Sequence, residues 1–473
     1  MSIEQARPER LHPVALLSGL GQAARNLVGG VAAGGYYAFQ GKTGIALLVL
    51  GGIVVVTLGG LLLHWLRFSF RVGEDAIRID SGILHRRQRL IPFDRVADVS
   101  LAQGPLQRLV GIARVTLETG SSTAGKEEGV LDGIALPRAE ALREQVRGRR
   151  GQPAAEAGGA GERDTAPLFA MTPRRVLTCG LFNFSLALFA GLFGASQTLG
   201  DVMDFDPFER DFWRPILVQS GWGEWLLGHR AALAIGGLLV LIVAGVLTGL
   251  IRTTLKEWGF RLDRTGNGFR RRRGLLTRTD VSLPLRRIQA GVIATGPIRE
   301  RFGWRVLKVQ SLASDSGEAG KSATGDHVLA PLATAEELRP IAAELGWDLP
   351  GEDTSWRRVS KAHLWSFCLV ALPVFPLLLV LGPLRWLEWR RTGYALAGGR
   401  LLVRSGWWSR QTVLLPLLKV QSIDLAETSL SRRFGVASLV IGIAGGSARG
   451  LRIPALPRKE ASQLRAELLS ALA

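Results

Sequence analysis

The chain has 473 residues, which is room for about three ordinary domains, and it carries a formal net charge of +19 while 47% of its residues are hydrophobic. Because the apolar residues are clustered in long runs, this charge points to cytoplasmic loops and anionic lipid rather than to nucleic acid. The two cysteines, Cys179 and Cys368, both lie inside apolar runs and support neither a disulfide framework nor a zinc site.

The N-terminal segment, residues 1–66, contains two apolar stretches. The first, 27–39, is short and rich in glycine, whereas the second, 45–66, is long enough to span a bilayer. The polar start lacks the small-residue cleavage site of a secretory signal, so we interpret the pair as a first membrane anchor. A repeat module follows over 67–150, and then a flexible linker rich in Gly, Ala and Pro over 151–173.

A second apolar pair is predicted within residues 174–255, with spans at 176–199 and 231–251. The connecting loop is acidic and carries Asp201, Asp204, Asp206, Glu209 and Asp211. Basic residues flank the outer ends of the pair, so we expect this loop to lie outside the cell. The acidic run is a candidate site for a divalent cation, although an ordinary solvated loop is the simpler interpretation.

A second module is expected over 256–350 and a third over 392–473, separated by a third apolar segment within 351–391. Its apolar core, 363–387, is interrupted by Pro373, Pro376 and Pro383, and basic residues flank both ends. A short hairpin folded at the prolines keeps both basic flanks in the cytoplasm, and we favour it over a single span; a re-entrant segment is a further alternative.

The three modules share residues at fixed spacing. Each has a leading glycine, a proline ten residues later, a basic residue three beyond the proline, and a second glycine nineteen beyond it. In chain order these are Gly82, Pro92, Arg95 and Gly111; Gly274, Pro284, Arg287 and Gly303; and Gly406, Pro416, Lys419 and Gly435. Such a register, kept three times, indicates one small unit in three copies.

Within each module, alternating apolar and polar residues predict half-buried strands, and the leading glycine marks a tight turn. Each copy ends in a predicted helix headed by a proline: Pro137, Pro331 or Pro457. The module is therefore expected to be a small antiparallel β-structure closed by one helix. We expect the recurring Gly and Pro to set turns and end strands, and the recurring basic residues to make contacts within the fold.

The patterns G-x-L/W-x-R and L/I-P-x-x-R/K-V/I, followed by a Phe-Gly step at Phe302 and Phe434, resemble those of bacterial pleckstrin-homology-like (PH-like) membrane proteins. The resemblance implies a membrane α plus β fold of three small split β-barrels. Each barrel would have a C-terminal helix and would follow a transmembrane helix pair. It also implies a multi-pass protein of the bacterial inner membrane with its modules in the cytoplasm and no known catalytic residues. A part in envelope stress or in resistance to membrane-active peptides is the physiological role it suggests.

The candidate contact site is the basic run Arg270, Arg271, Arg272 and Arg273, just before Gly274. Alternate residues of a strand face opposite sides, so two of the four are expected to reach lipid headgroups or an acidic partner. The alternative is a solvated charged strand edge that protects the sheet from pairing.

No catalytic, cofactor or metal site emerges from the sequence. Two phosphate-loop-like fragments lack the required earlier glycine, and the six histidines show no ligand spacing. We therefore predict a non-enzymatic assembly protein whose partners are membrane lipids and another membrane protein, either a smaller PH-like protein or a second copy, and not nucleic acid. The alternative is a component of a transporter or lipid-handling complex, which the scarcity of ionisable residues in the spans disfavours.

Overall fold

The computed structural model describes residues 7–16, 42–82, 86–119, 129–149, 166–184, 229–311, 326–351, 354–365, 375–444 and 451–471. The first predicted apolar stretch, most of the linker and the acidic loop lie outside these residues.

The first module has six strands. Strands β1 to β6 are Ser69–Val72, Ala76–Ser81, Arg87–Pro92, Val96–Gln103, Ile112–Thr119 and Gly129–Ala135. Its helices are α1 (Thr43–Arg67), which leads into β1, α2 (Pro105–Val110), between β4 and β5, and α3 (Leu136–Arg149), which closes the module.

The second module repeats this order and adds a short first strand. Strands β7 to β13 are Phe169–Ala170, Arg261–Thr265, Gly268–Arg273, Arg278–Pro284, Ile288–Thr295, Arg305–Ser311 and Asp326–Ala333. Helices α4 to α7 are Pro173–Leu181, Arg230–Glu257, Pro297–Arg301 and Ala335–Glu344.

The third module has the same plan. Strands β14 to β20 are Arg357–Arg358, Gly393–Ala397, Arg400–Ser405, Arg410–Pro416, Val420–Ala426, Val436–Ile443 and Arg452–Pro457. Helices α8 to α10 are Phe375–Arg391, Ser429–Arg433 and Arg458–Ser470.

Each module contains two antiparallel strand groups that share one apolar core: three strands in each group of the first module, and four and three strands in the second and third modules. In the first module, Phe70 and Ile77 from one group pack with Val115 and Leu117 from the other. Leu142 of α3 closes this core, and all five side chains are at most 1% exposed. The predicted alternation places one face of most strands in the core, whereas β11 is buried at six consecutive positions, and the three modules are units of mixed α and β structure.

The strand groups of neighbouring modules join into continuous sheets. One seven-stranded sheet runs β6-β5-β4-β10-β9-β8-β7 and a second runs β13-β12-β11-β17-β16-β15-β14. Three-stranded sheets, β1-β2-β3 and β18-β19-β20, stand at the two ends. The family resemblance implied three small barrels, and the structure in addition shares a sheet across each junction, because β4 and β11 pair with strands of the following module.

The recurring glycines and prolines lie at turns. Gly111, Gly303 and Gly435 end the short helices α2, α6 and α9 with φ of +74°, +71° and +63°, a conformation in which a side chain is strained. Gly82, Gly274 and Gly406 also have positive φ and follow β2, β9 and β16. Pro92, Pro284 and Pro416 are the last residues of β3, β10 and β17.

Two helix predictions need correction. The helix predicted from Pro331 begins at Ala335, because Thr334 and Glu337 form a capping box there and Pro331 stays in β13. Pro383 lies inside the continuous helix α8, so the chain does not fold back at that proline. Pro376 lies in the first turn of the same helix, and Pro373, the remaining proline of the predicted hairpin, lies outside the described residues.

The start of the predicted span 176–199 belongs instead to a module core. Val176 and Cys179 of α4 are 0% and 2% exposed and pack with Phe260 and Leu329 of the second module. Thr172 caps this helix by accepting a hydrogen bond from the Arg175 backbone, which fixes where it begins. The following residues, from 185 onward, lie outside the described part of the chain.

Among the described residues, two helices are long and apolar enough to cross a membrane: Thr43–Arg67 and Ile235–Glu257, with mean hydropathy of 2.7 and 2.2. They contain the predicted spans 45–66 and most of 231–251. Leu47 and Leu48 of α1 are more than two-thirds exposed. Apolar surface of this kind requires a non-aqueous partner, which a bilayer provides.

Candidate functional site

A basic cavity of about 640 Å³ lies at the junction of the second and third modules, beside the end of α8. We call it the arginine pocket. Its charged lining residues are Glu300, Arg305, Arg358, Arg390, Arg391, Arg404 and Arg410. Among the described residues that line it, six guanidinium groups thus surround one carboxylate.

The end of α8 is fixed to the third module, which places Arg390 and Arg391 at the pocket. The Trp389 indole Nε1 donates a hydrogen bond of 3.0 Å to the Val359 carbonyl oxygen. The Thr392 backbone N–H and hydroxyl both donate to the Glu388 carbonyl oxygen and end the helix. Arg404 and Arg410, on β16 and β17, approach from the sheet side.

The positive charges of the arginine pocket are poorly compensated. The Arg404 guanidinium stacks over Trp356 at 4.5 Å from the ring centroid, and its buried Nε has no hydrogen-bond partner among the described residues. Burial, together with the positive charges of Arg358 and Arg391, lowers the pKa of Arg404. The Glu300 carboxylate forms an ion pair with Arg410 and lies 3.9 Å from Arg391. An anion bound in the pocket would relieve this repulsion.

A second basic cavity of about 450 Å³ adjoins the arginine pocket, and Thr295 and Gln411 line both. Its basic lining residues are Arg252, Lys256, Arg299 and Lys308. The first two lie near the end of α5. Basic cavities therefore accompany the ends of both helices, α5 and α8, that lead into the second and third modules.

The predicted arginine run forms β9, with alternate side chains on opposite faces. Arg271 is fully buried and donates to the Val328 carbonyl oxygen at 3.1 Å. Arg273 is buried against Glu257, at 2.8 Å. On the other face, Arg270 pairs with Asp280 at 2.7 Å and Arg272 with Asp263 at 3.3 Å.

The position of β9 corrects one interpretation of this run. The strand lies between β8 and β10, inside a seven-stranded sheet, so the alternative of a solvated protective edge is wrong. Arg270 and Arg272 line a third cavity and keep 20% and 29% of their side chains exposed. Contact with a headgroup or partner stays a prediction for these two and is sterically unfavourable for buried Arg271 and Arg273.

Asp280 holds the first two modules together. Its carboxylate accepts hydrogen bonds from Arg270 of β9 and from Arg143 of α3, the latter at 3.0 Å. Burial by itself raises the pKa of Asp280, but the hydrogen bonds and charges of Arg270 and Arg143 outweigh it and hold this pKa well below its usual range. The carboxylate is therefore ionised at neutral pH and joins the two modules.

The recurring basic residues occupy different surroundings. The Lys419 ammonium donates to the Arg286 carbonyl oxygen at 3.0 Å and so joins the third module to the second. Arg287 is half-buried and Arg95 is exposed. Contact within the fold, predicted for all three, is thus clearest at Lys419.

No group of three or more His, Cys, Asp or Glu residues that could hold a metal ion lies in the part of the chain that the structure describes. The acidic loop between Asp201 and Asp211, the candidate cation site of the sequence, falls outside that part.

Sequence reasoning missed the arginine pocket. Its arginines lie between residues 305 and 410 with no regular spacing, so no motif marks them. The available signal was the basic residues that flank the third apolar segment, three of which, Arg358, Arg390 and Arg391, line the pocket.

Comparison with known proteins agrees with this architecture. The Bacterial PH domain family matches residues 16–150, 225–346 and 349–472. The chain is 21% identical over 466 residues to the UPF0699 transmembrane protein YdbT of Bacillus subtilis (strain 168), covering 90% of this chain and 91% of that relative. No solved structure matches the chain. Since the three matched segments account for most of its length and coincide with the three structural modules, the chain belongs to the Bacterial PH domain family.

Proposed function

We propose that the protein is a non-enzymatic, multi-pass protein of the bacterial inner membrane whose modules face the cytoplasm and bind an anionic lipid headgroup in the arginine pocket. The observation that carries this proposal is the excess of guanidinium groups at the end of α8. A phosphodiester would accept charge-assisted hydrogen bonds from several of these arginines at once.

The placement of charge along the chain supports the orientation. Basic residues lie at the end of each helix that enters a module: Arg67 for α1, Lys256 for α5, and Arg390 and Arg391 for α8. Basic residues next to membrane segments favour the cytoplasmic side. Each such residue near an anionic membrane surface contributes on the order of 1 kcal/mol to its attraction.

The test compares lipids added to the purified full-length protein in mild detergent. Phosphatidylglycerol should raise the thermal midpoint more than phosphatidylcholine does, because a ligand that binds the folded state stabilises it. In the double variant Arg358→Gln/Arg404→Gln this difference should disappear. The matched control is Arg433→Gln/Arg465→Gln, which removes two exposed arginines outside the pocket and should keep the full difference.

Two outcomes contradict the proposal. Equal stabilisation of the wild type by both lipids would exclude headgroup selectivity, and a pocket variant that keeps the selectivity would exclude this site. Inorganic phosphate serves as a further arm: if it stabilises as strongly as the lipid, the site binds a free anion.

The role in envelope stress is a separate proposal, and it predicts greater sensitivity of a deletion strain to membrane-active peptides.

A further inference from the structure

The two junctions between modules are the same interaction made twice. At the first, β4 pairs antiparallel with β10, with Leu101 opposite Asp280. At the second, β11 pairs with β17, with Ile293 opposite Thr412. Leu101 and Ile293 each lie ten residues before the second glycine of their module, and Asp280 and Thr412 each lie four before the proline. The register is therefore identical, and it is set by the repeat.

This arrangement leaves one strand of each kind outside a junction, β3 in the first module and β18 in the third. Strand β3 corresponds to β10 and β17, and β18 corresponds to β4 and β11. Within the described residues, each pairs with a strand on one side only, β3 with β2 and β18 with β19. The three modules thus form a row whose two ends carry complementary halves of the same junction.

The burial of the end strands shows what a further junction would cover. Leu90 on β3 is 59% exposed, whereas Leu414, which occupies the same repeat position on β17, is fully buried. Six of the eight residues of β11 are buried, but only one of the seven residues of β18. The difference arises at equivalent positions, because β11 and β17 have a neighbouring strand on both sides.

The charges of the two end strands are opposite in sign. Continuing the register places Gln88 opposite Leu425 and Arg89 opposite Asp424. Just beyond the strand ends it places Arg86 opposite Glu427, which also forms an ion pair with Arg458 of its own chain. Directly opposite residues of an antiparallel pair share a face, so these two charge pairs are attractive. Pairing of β3 with another β3, or of β18 with another β18, would place like charges close together.

We infer that two copies of this chain associate head to tail, β18 of one copy pairing with β3 of the next in the register of the internal junctions. A head-to-tail contact leaves one complementary strand free at each end of the pair, so association continues until a ring closes or a filament forms. An alternative interpretation of these charged residues is that they protect a strand edge against pairing. Their opposite signs distinguish the two strands and favour the association.

The test is disulfide crosslinking of the full-length protein in vesicles of mixed phosphatidylethanolamine and phosphatidylglycerol. Cys368 is replaced by serine and buried Cys179 is kept. One preparation carries Gln88→Cys and a second carries Leu425→Cys. Opposite Cα atoms in a β-ladder lie about 4.5–5.5 Å apart, within the range that a disulfide spans. Oxidation of the two preparations reconstituted together should give a crosslinked dimer, and a chain with both substitutions should give a series of multimers.

The matched control moves one cysteine along the same strand. Gln421→Cys lies four residues from Leu425, roughly 13 Å along β18, and so beyond the reach of a disulfide to position 88. The positive control is Ile293→Cys/Thr412→Cys, which should close within one chain because it occupies the same register at an existing junction.

The inference is overturned if the positive control closes while positions 88 and 425 do not crosslink between copies. It is also overturned if position 421 crosslinks as well as position 425, or if either single preparation alone gives the same yield as the mixture. A dimer from one preparation alone would indicate a symmetric contact. None of these outcomes depends on lipid binding in the arginine pocket, so this inference and the proposed function fail separately.

Discussion

At the scale of single residues, the buried ion pairs explain how a chain of net charge +19 maintains well-packed modules. Arginines that a charge count assigns to the surface are placed beside carboxylates inside the fold. Asp280 is the clearest example, because two arginines from different modules share its carboxylate. Removing one partner of such a group leaves charge buried without compensation, which costs more than the pair itself contributes.

We expect Asp280→Asn to lower stability by roughly 3 kcal/mol at pH 7, because the amide leaves the charges of Arg143 and Arg270 uncompensated. The folded-state pKa of Asp280 lies below its unfolded value of about 3.9, so the stabilisation is present above the unfolded pKa and is lost as the pH falls below that value through the folded-state pKa. The difference in thermal midpoint between wild type and variant should therefore shrink in acid.

The control for this prediction is Asp348→Asn. Asp348 pairs with Arg400, but its side chain is 91% exposed, so its loss should cost less than about 1 kcal/mol. A variant Asp280→Asn as stable as Asp348→Asn at pH 7, or a difference that grows in acid, would contradict the role assigned to Asp280.

At the scale of elements, the recurring glycines differ in what surrounds them. Gly303 ends α6 with positive φ, and a Cβ placed there would meet no other atom within 4 Å. Gly274 also has positive φ, but its Cβ would clash with the Thr277 carbonyl oxygen in the turn between β9 and β10. Both positions favour glycine for backbone reasons, and only the second is crowded as well.

Replacing these two glycines by alanine should therefore give unequal losses. Gly303→Ala is expected to cost about 1 kcal/mol, the ordinary penalty of a left-handed residue. Gly274→Ala should cost more than about 2 kcal/mol, because relief of the clash displaces backbone. Thermal unfolding of the two detergent-solubilised variants measures the difference. Equal midpoints, or a less stable Gly303→Ala, would show that crowding at Gly274 does not matter.

The type and approximate position of most helices and strands follow from the sequence, whereas the strand pairing between modules does not. Alternation, turn glycines and helix-opening prolines are local, so they predict the strands and most of the closing helices. The partner of β4 is β10, more than 170 residues later, and no local pattern records that distance. For the same reason the partners of Arg270 and the arginines of the pocket escaped prediction, since tertiary structure alone brings them together.

At the scale of the whole molecule, the structure is one row of three modules, each entered from a helix. The number of times the chain crosses a membrane between one module and the next determines whether the two modules lie on the same side. Because the shared sheets join the modules directly, we expect all three to lie on the same side of the membrane. A topology that placed one module across the bilayer would break a seven-stranded sheet.

Cysteine labelling tests this arrangement. Arg108→Cys, Arg301→Cys and Arg433→Cys, each exposed and two or three residues before a recurring glycine, should react with an impermeant reagent only after the membrane is permeabilised. Asp206→Cys, in the acidic loop, should react in intact cells, as the charge bias of the second pair predicts. Reaction of the third module from outside would contradict the single-sided row.

The identical register of the two junctions also affects how a chain of such modules can lengthen during evolution. A module inserted by duplication brings one strand equivalent to β10 and one equivalent to β4. The first pairs with the preceding module, and the second is available to pair with the following module. No new surface has to evolve, and the terminal strands keep their character whatever the number of modules. Gene duplication can thus lengthen the row by one module at a time, because each added module presents the same two strands for pairing.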